Sequence, residues 1–186
     1  LEGSRPQNQI SEEQIVKWLQ SADFFDRGFR ALTNQYKAQL YGHIRRMVHN
    51  HDDADDVLQN TFIKVYKGIS QFEGKSKLYT WMYRIATNEA LTFLKSSSRH
   101  AHKPLEDWNS SGSQADTWMD ADEVQRKLQL AIDELPEKQK VVFLLRYHDE
   151  MPYEEMSEVL NTSVGALKAS FHHAVRKIEQ IVREWE

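Results

Sequence analysis

A chain of 186 residues is long enough to bury a substantial core, as one domain or as two small ones. With 28% charged and 40% hydrophobic residues the composition is that of an ordinary soluble protein; the absence of cysteine excludes disulfides, thiolate metal sites and a cysteine nucleophile, and fits a reducing compartment. A net charge of −4 argues against a uniformly basic nucleic-acid binder, the longest apolar run (141–145) is too short for membrane insertion, and no secretory leader is visible.

Glycine and proline are scarce and no period-two alternation is evident, so the expected fold class is all-α. A first helix opens at Ser11, with Gln14 at capping-box spacing and Ile15, Trp18 and Leu19 on one face. A longer helix over 23–49 carries Phe25, Phe29, Leu32, Tyr36, Leu40, Ile44 and Val48, which step by three or four into one apolar stripe. A third helix, within 51–70, places Asp52, Asp53, Asp55 and Asp56 in its first turns, where the helix dipole favours anions. Its buried side is expected to be Val57, Leu58, Thr61, Phe62, Val65, Tyr66 and Ile69. Gly74 then breaks the chain before a fourth helix over 77–97.

Residues 72–95 are the most informative stretch. Phe72, Tyr79, Trp81, Tyr83 and Phe93 offer flat faces, Lys75, Lys77, Arg84 and Lys95 offer charge, and Asn88 offers an amide. Stacking faces beside cations suit unpaired nucleic acid. A core helix with aromatic packing and a solvated charged side would show the same residues.

Residues 98–121 change character, with Ser, Gly, Asp, Asn and one proline and no helical period, and read as a flexible linker. Charge segregates around it. Residues 75–103 carry six basic groups against Glu89 alone, whereas 104–123 carry six acids and no base. Trp108 and Trp118 either cover the edge of a domain or dock on a partner. The expected organisation is thus a domain over 10–97, an acidic linker over 98–121 and a second domain over 122–186.

Four further helices are expected near 122–134, 136–147, 152–160 and 163–183, with Pro136 in the first turn of its helix and Val141, Val142, Leu144 and Leu145 as core. The stretch YEEMSEVLNTSVGALK (153–168) has a helix-turn-helix plan. Met156, Val159 and Leu160 face inward, Asn161 suits a left-handed turn, and Ser163 caps the next helix. Val164, Leu167, Phe171, Val175 and Ile178 continue the buried stripe, which leaves Lys168, Ala169, His172, His173 and Arg176 exposed. A recognition helix reads base edges with its early exposed residues and holds phosphates with later ones, although such helical pairs also occur in proteins that never touch DNA. His172 and His173 are adjacent, not i and i+4, so a metal site on this helix is not expected.

Three blocks, in this order, resemble the bacterial RNA polymerase sigma factors of the compact extracytoplasmic-function (ECF) group. They are DDVLQNTFIKVY (55–66), FEGKS (72–76) with YTWMYRIATN (79–88), and LP (135–136) with VFLLR (142–146) continuing to VGALK (164–168). The resemblance covers roughly 24–182 apart from the linker. It implies that Asp55, Asp56, Gln59, Asn60, Phe62 and Tyr66 dock on the clamp coiled coil of core RNA polymerase; Phe62 is equally readable as core. It implies that Phe72, Lys75, Ser76, Lys77, Trp81, Arg84, Asn88 and Lys95 engage the minus-10 element of promoter DNA. Asn88 would line the pocket of a flipped base, Trp81 would pack inward as much as it stacks on DNA, and Arg84 and Lys95, with Arg99, would hold phosphates.

Lys168, Ala169, His172, His173 and Arg176 are then expected to face the minus-35 element. Many family members carry arginine where Ser170 and His173 stand here, which puts the base preference in question. The acidic linker would thread the basic interior of the polymerase or shield the basic helix of the free protein. An anti-sigma protein often accompanies the family and would wedge between the domains or cover 55–66. The resemblance implies a cytoplasmic transcription initiation factor with no catalysis, cofactor, metal or membrane insertion.

Two other classes fit parts of the chain. A helix-turn-helix regulator that acts without replacing sigma would leave 72–95 unexplained. An enzyme would need the Asp52–Asp56 acids as a metal site, or Glu154 and Glu155 as a carboxylate pair, but the turn glycine and ligand spacing of a hard-cation loop are absent.

Overall fold

The computed structural model describes residues 10–100 and 123–184, with side chains described outside 98–100 and 123–126. The expected linker therefore falls largely outside the described residues, as do Trp108 and Trp118. Among the described residues the structure is all-helical, as expected. Helices α1 (Glu12–Leu19), α2 (Phe25–Val48), α3 (His51–Gly68) and α4 (Leu78–His100) come first. They are followed by α5 (Glu123–Asp133), α6 (Glu137–Tyr147), α7 (Tyr153–Leu160) and α8 (Val164–Glu184). Packing divides the chain into two units at Leu91/Thr92, inside α4. Burial along α4 fades after Ala90, and the expected boundary at residue 97 lies on the exposed far part of the same helix.

In the first unit each helix starts and stops for a local reason. Ser11 caps α1, its hydroxyl accepting the Gln14 N–H at 3.2 Å. α2 ends where His49 adopts a left-handed conformation (φ 64°), and Asn50 caps α3 by accepting the Asp52 N–H at 2.9 Å. α1 lies close against α2 at Gly28. A Cβ there would stand 2.9 Å from Trp18 Cβ and 3.0 Å from the Leu19 nitrogen, so only glycine permits this approach. The Arg27 guanidinium covers the same indole at 4.3 Å.

Leu32, Tyr36, Leu40, Ile44 and Val48 of the α2 stripe are buried, along with Ile15, Leu19, Val57, Leu58, Val65, Leu78 and Met82. Two expectations need correction. Phe25 and Phe29 are only half-buried, and Tyr66 is 52% exposed. These rings do not join the core. They form an edge-to-face cluster with Phe62, centroids 5.1–6.4 Å apart, along an open seam between α2 and α3.

The second unit is built on α8. Leu167, Ala174 and Ile178 are buried along it, and the half-buried Phe171 stacks on Phe143 of α6 at 5.7 Å. The run Val141 to Leu145 is wholly buried, beyond the four positions expected, because Phe143 joins it. Pro136 stands one residue before α6, with extended ψ of 139°, rather than within its first turn. Met151, 1% exposed, fills the space beneath the α6–α7 turn, and Arg146 Nη1 donates to its carbonyl at 3.1 Å.

Candidate nucleic-acid and partner interfaces

The first candidate surface is α3. Asp55, Asp56, Gln59, Asn60, Ile63, Tyr66 and Lys67 are all exposed and step by three or four, so they share one outward face. Beside it the α2–α3 seam opens as a groove of about 570 Å³, floored by Phe29, Leu58 and Phe62 and rimmed by Lys37, Asp55, Asp56 and Lys67. Phe62 is half-buried in the groove wall, so it serves packing and surface together. The aspartates crowd one another: Asp53 has its pKa raised above the usual carboxylate range, first by partial burial and then by the charges of Asp56 and Asp52.

The second surface is the loop 72–77 and the exposed edge of α4. Gly74, at φ 69°, supplies the left-handed turn that swings the loop back toward α4. Phe72 and Trp81 pack ring against ring at 5.4 Å, and the indole also covers Gly68, whose Cβ would lie 3.3 Å from it. Trp81 is thus half-buried, packed between the loop and the end of α3. Lys75 and Lys77 are exposed on the loop, Lys75 paired there with Glu73, while Ser76 is half-buried. Arg84, Asn88 and Lys95 are exposed at i, i+4 and i+11, one helix face.

Not every aromatic of this stretch is available for stacking. Tyr83 is 2% exposed and Tyr79 half-buried, because both rings face α2 rather than solvent. Tyr79 lies 4.5 Å from Tyr83 and 6.3 Å from Tyr36, and Tyr83 lies 5.1 Å from the fully buried His43. His43 Nε2 meets the Thr87 hydroxyl at 3.0 Å, one residue before Asn88. The strip therefore anchors α4 to α2 from its first turn to the residue beside Asn88.

At the amino end of α4 the structure adds a residue that the sequence reading missed. Glu12 of α1 accepts the Leu78 backbone N–H through Oε1, and the Tyr36 hydroxyl donates to its Oε2 at 3.3 Å. Tyr36 has its pKa pushed up to about 12, first by burial and then by the Glu12 charge. Nothing in local spacing signals a contact across 66 residues.

The third surface is the helix-turn-helix α7–α8. Asn161 takes the left-handed turn (φ 48°, ψ 49°), and the Ser163 hydroxyl accepts the Ala166 N–H at 3.3 Å. Lys168, Ala169, His172, His173 and Arg176 are all exposed, with Ser170 half-buried. Tyr153 lies between two cations, Arg146 at 5.2 Å and Lys168 at 5.6 Å from its ring, so Lys168 is partly steered by an aromatic platform. His172 and His173 splay, their rings 6.2 Å apart. Among the described residues no group of three or more His, Asp or Glu side chains converges as a metal site would.

Residues 32–100 match sigma-70 region 2, and residues 125–178 match sigma-70 region 4. The RNA polymerase sigma-H factor of Pseudomonas aeruginosa is 30% identical over 193 residues, covering 94% of this chain and 95% of its own. This chain belongs to the ECF group of RNA polymerase sigma factors. The ECF RNA polymerase sigma-E factor of Haemophilus influenzae is 29% identical, covering 94% of this chain and 97% of its own.

The fold agrees. CnrH, solved in complex with the cytosolic domain of CnrY, superposes with a TM-score of 0.71 at 18% identity, over 93% of this chain and 97% of its own. The sigma factor RpoE of Bartonella quintana, solved with the anti-sigma factor NepR, gives 0.63 at 18% identity, over 83% of this chain and 96% of its own. The protein is therefore a transcription initiation sigma factor, and a regulator acting beside a resident sigma is not favoured. Helix α1 lies outside both matched regions, and so does Glu12.

Proposed function

We propose that the three surfaces divide the work of promoter opening among them. The α3 face, with Asp55, Asp56, Gln59, Asn60, Phe62 and Tyr66, docks on the clamp coiled coil of core RNA polymerase. Its acids and amides suit a basic partner, and its groove-lining rings serve as anchors. The edge formed by Phe72, Lys75, Ser76, Lys77, Trp81, Arg84, Asn88 and Lys95 takes the displaced strand of the minus-10 element. Lys168, Ala169, His172, His173 and Arg176 face the major groove of the minus-35 element. The two parts, 10–97 and 122–186, act as separate domains on the two promoter elements, and the acidic segment between them connects the two.

The observation that carries this reading is the exposed row Arg84, Asn88 and Lys95 on a helix whose opposite face is buried. An amide so placed offers a donor and an acceptor to a Watson–Crick edge, but only to one already unpaired. Capture of that base offsets an unpairing cost of roughly a few kcal/mol. No step is catalysed by the sigma chain itself, and the site of action is the cytoplasm, where polymerase works. No helix among the described residues is long and apolar enough to cross a membrane. An anti-sigma protein would silence this factor by wedging between the domains or by covering the α3 face.

Run-off transcription with core polymerase on a promoter library tests the whole reading. Initiation from a two-part promoter is expected, and none at all would overturn it. In the same assay Asn88→Ala should slow open-complex formation and relax preference at one minus-10 position while polymerase binding persists. Normal melting and normal preference in that variant would remove Asn88 from the role.

A further inference from the structure

We propose that Glu12 is a positioning residue for strand capture, acting from α1 on the loop that would hold the unpaired base. The inference rests on the strand-capture reading above and adds to it a control point outside both matched regions. The physical problem is at the start of α4. The first N–H groups of a helix have no partner within it, and a side chain near the cap normally supplies one. Here the carboxylate comes from another helix, as Glu12 Oε1 takes the Leu78 N–H. Leu78 is the first residue of α4 and follows directly on Lys77, the end of the exposed loop.

Three features make this more than an incidental contact. First, the carboxylate is held from its other side, since the Tyr36 hydroxyl donates to Oε2 at 3.3 Å from a ring that is 6% exposed. Second, Glu12 is an anion and adds no attraction for phosphate to the edge that carries Lys75 and Lys77. Its presence is accounted for by the geometry it imposes rather than by attraction to DNA. Third, α1 is itself fixed to α2 at Gly28, where no larger residue fits, so Glu12 stands on a rigid support. The loop carries a left-handed turn at Gly74 with nothing within 4 Å of a Cβ there, so its near end is set largely by the Leu78 anchor.

The test uses full-length protein bound to core polymerase. The probe is a fluorescent single-stranded oligonucleotide carrying the non-template strand of a minus-10 element recovered from the promoter library. Glu12→Ala should weaken its binding about tenfold, the scale of a lost helix cap, and blunt discrimination against a single-base change in the probe. Polymerase affinity should change less than about twofold. Glu12→Gln keeps a carbonyl for the Leu78 N–H and should recover most of the loss. A residue that merely stabilised the fold would not separate strand binding from polymerase binding in this way.

Tyr36→Phe, which removes one hydrogen bond and keeps the ring, should give a smaller loss of about two- to threefold. It decides the matter should Glu12→Ala fail to fold. Wild-type probe binding by Glu12→Ala overturns the proposal. So does an equal loss of polymerase binding, a Gln variant as weak as Ala, or, in the unfolded case, a silent Tyr36→Phe. Asn88→Ala is run in parallel. If it weakens binding and Glu12→Ala does not, the proposal alone falls. If Asn88→Ala is itself silent, the strand-capture reading falls and takes the proposal with it.

Discussion

The two halves of this sigma factor bury different things. The buried polar side chains of the described residues, His43, Thr61, Thr80 and Thr87, all belong to the first unit, whereas the buried set of the second is apolar throughout. The contrast follows from what each half is proposed to hold. A helix-turn-helix can devote one side of α8 to core and the other to DNA, because duplex presents a regular groove to a regular helix. The first unit sets a loop, a helix edge and an aromatic groove within a few turns of one another. Periodic stripes alone do not fix such features, and the hydrogen-bonded strip between α2 and α4 supplies the missing specification.

The largest expected effect tests that contrast through pH. The Tyr36 hydroxyl ionises near 10 when unfolded and at about 12 when folded. Between those values the unfolded chain has lost a proton that the native one retains, so native stability falls as pH rises. Below pH 10 the group contributes no pH dependence. A rise of that size in a ring so little exposed corresponds to about 2–3 kcal/mol lost by about pH 12. Chemical denaturation at a series of pH values should show this loss in the wild type and a flatter profile in Tyr36→Phe, from a lower starting stability. A wild-type profile no steeper than that of the variant would mean the strip does not hold the first unit together.

Next in size is the separation of anchor from core on α3. Tyr66, 52% exposed, should behave mainly as a contact residue: Tyr66→Ala is expected to cost about 2 kcal/mol of polymerase affinity, the scale of an interface hot spot, and less stability than Phe62→Ala. Phe62→Ala should lose both, because its ring is half-buried in the groove wall whereas that of Tyr66 lies mostly in solvent. A polymerase pull-down beside a thermal melt distinguishes them. Equal behaviour of the two variants would erase the distinction between groove and core.

The same pair shows how far the sequence could be read. Helix positions, the Ser11, Asn161 and Ser163 caps and the exposed face of α8 were legible, because each depends on residues within one or two turns. Phe25 and Phe29 were read into one apolar stripe and Tyr66 into the buried side of α3 as well as its docking face, since an aromatic row lining a groove has the same three-four spacing as one facing a neighbour helix. Tyr83 was read in the opposite sense, as a stacking face beside Arg84, but its ring packs toward His43. Glu12 was invisible, because its partners lie 24 and 66 residues away.

On the second unit the sharper test is a gain. His173 is exposed on α8 at a position where the family resemblance led arginine to be expected, a side chain that can grip guanine through two hydrogen bonds. His173→Arg should shift the minus-35 preference toward guanine at one position, by about 1–2 kcal/mol of discrimination. Selection from a randomised minus-35 library measures it. An unchanged preference would place His173 over phosphate rather than over a base.

The smallest effect concerns the acids that open α3. At neutral pH the Asp53 carboxylate carries a folded-state cost, because partial burial and the neighbouring Asp56 and Asp52 raise its pKa. With a folded pKa above the unfolded one, the cost is present when the group is ionised and vanishes as pH falls through the folded value. Asp53→Asn should therefore stabilise the free protein at neutral pH by no more than about half a kcal/mol, and the gain should shrink on acidification. The benefit of keeping the charge would lie in association. A basic partner surface relieves the crowding, so Asp53→Asn should slow polymerase association at low salt and converge with the wild type at high salt. Stopped-flow association at two ionic strengths decides this. If the variant gains stability and associates as fast as the wild type at low salt, the acidic crowding is a feature of the free fold and not of docking.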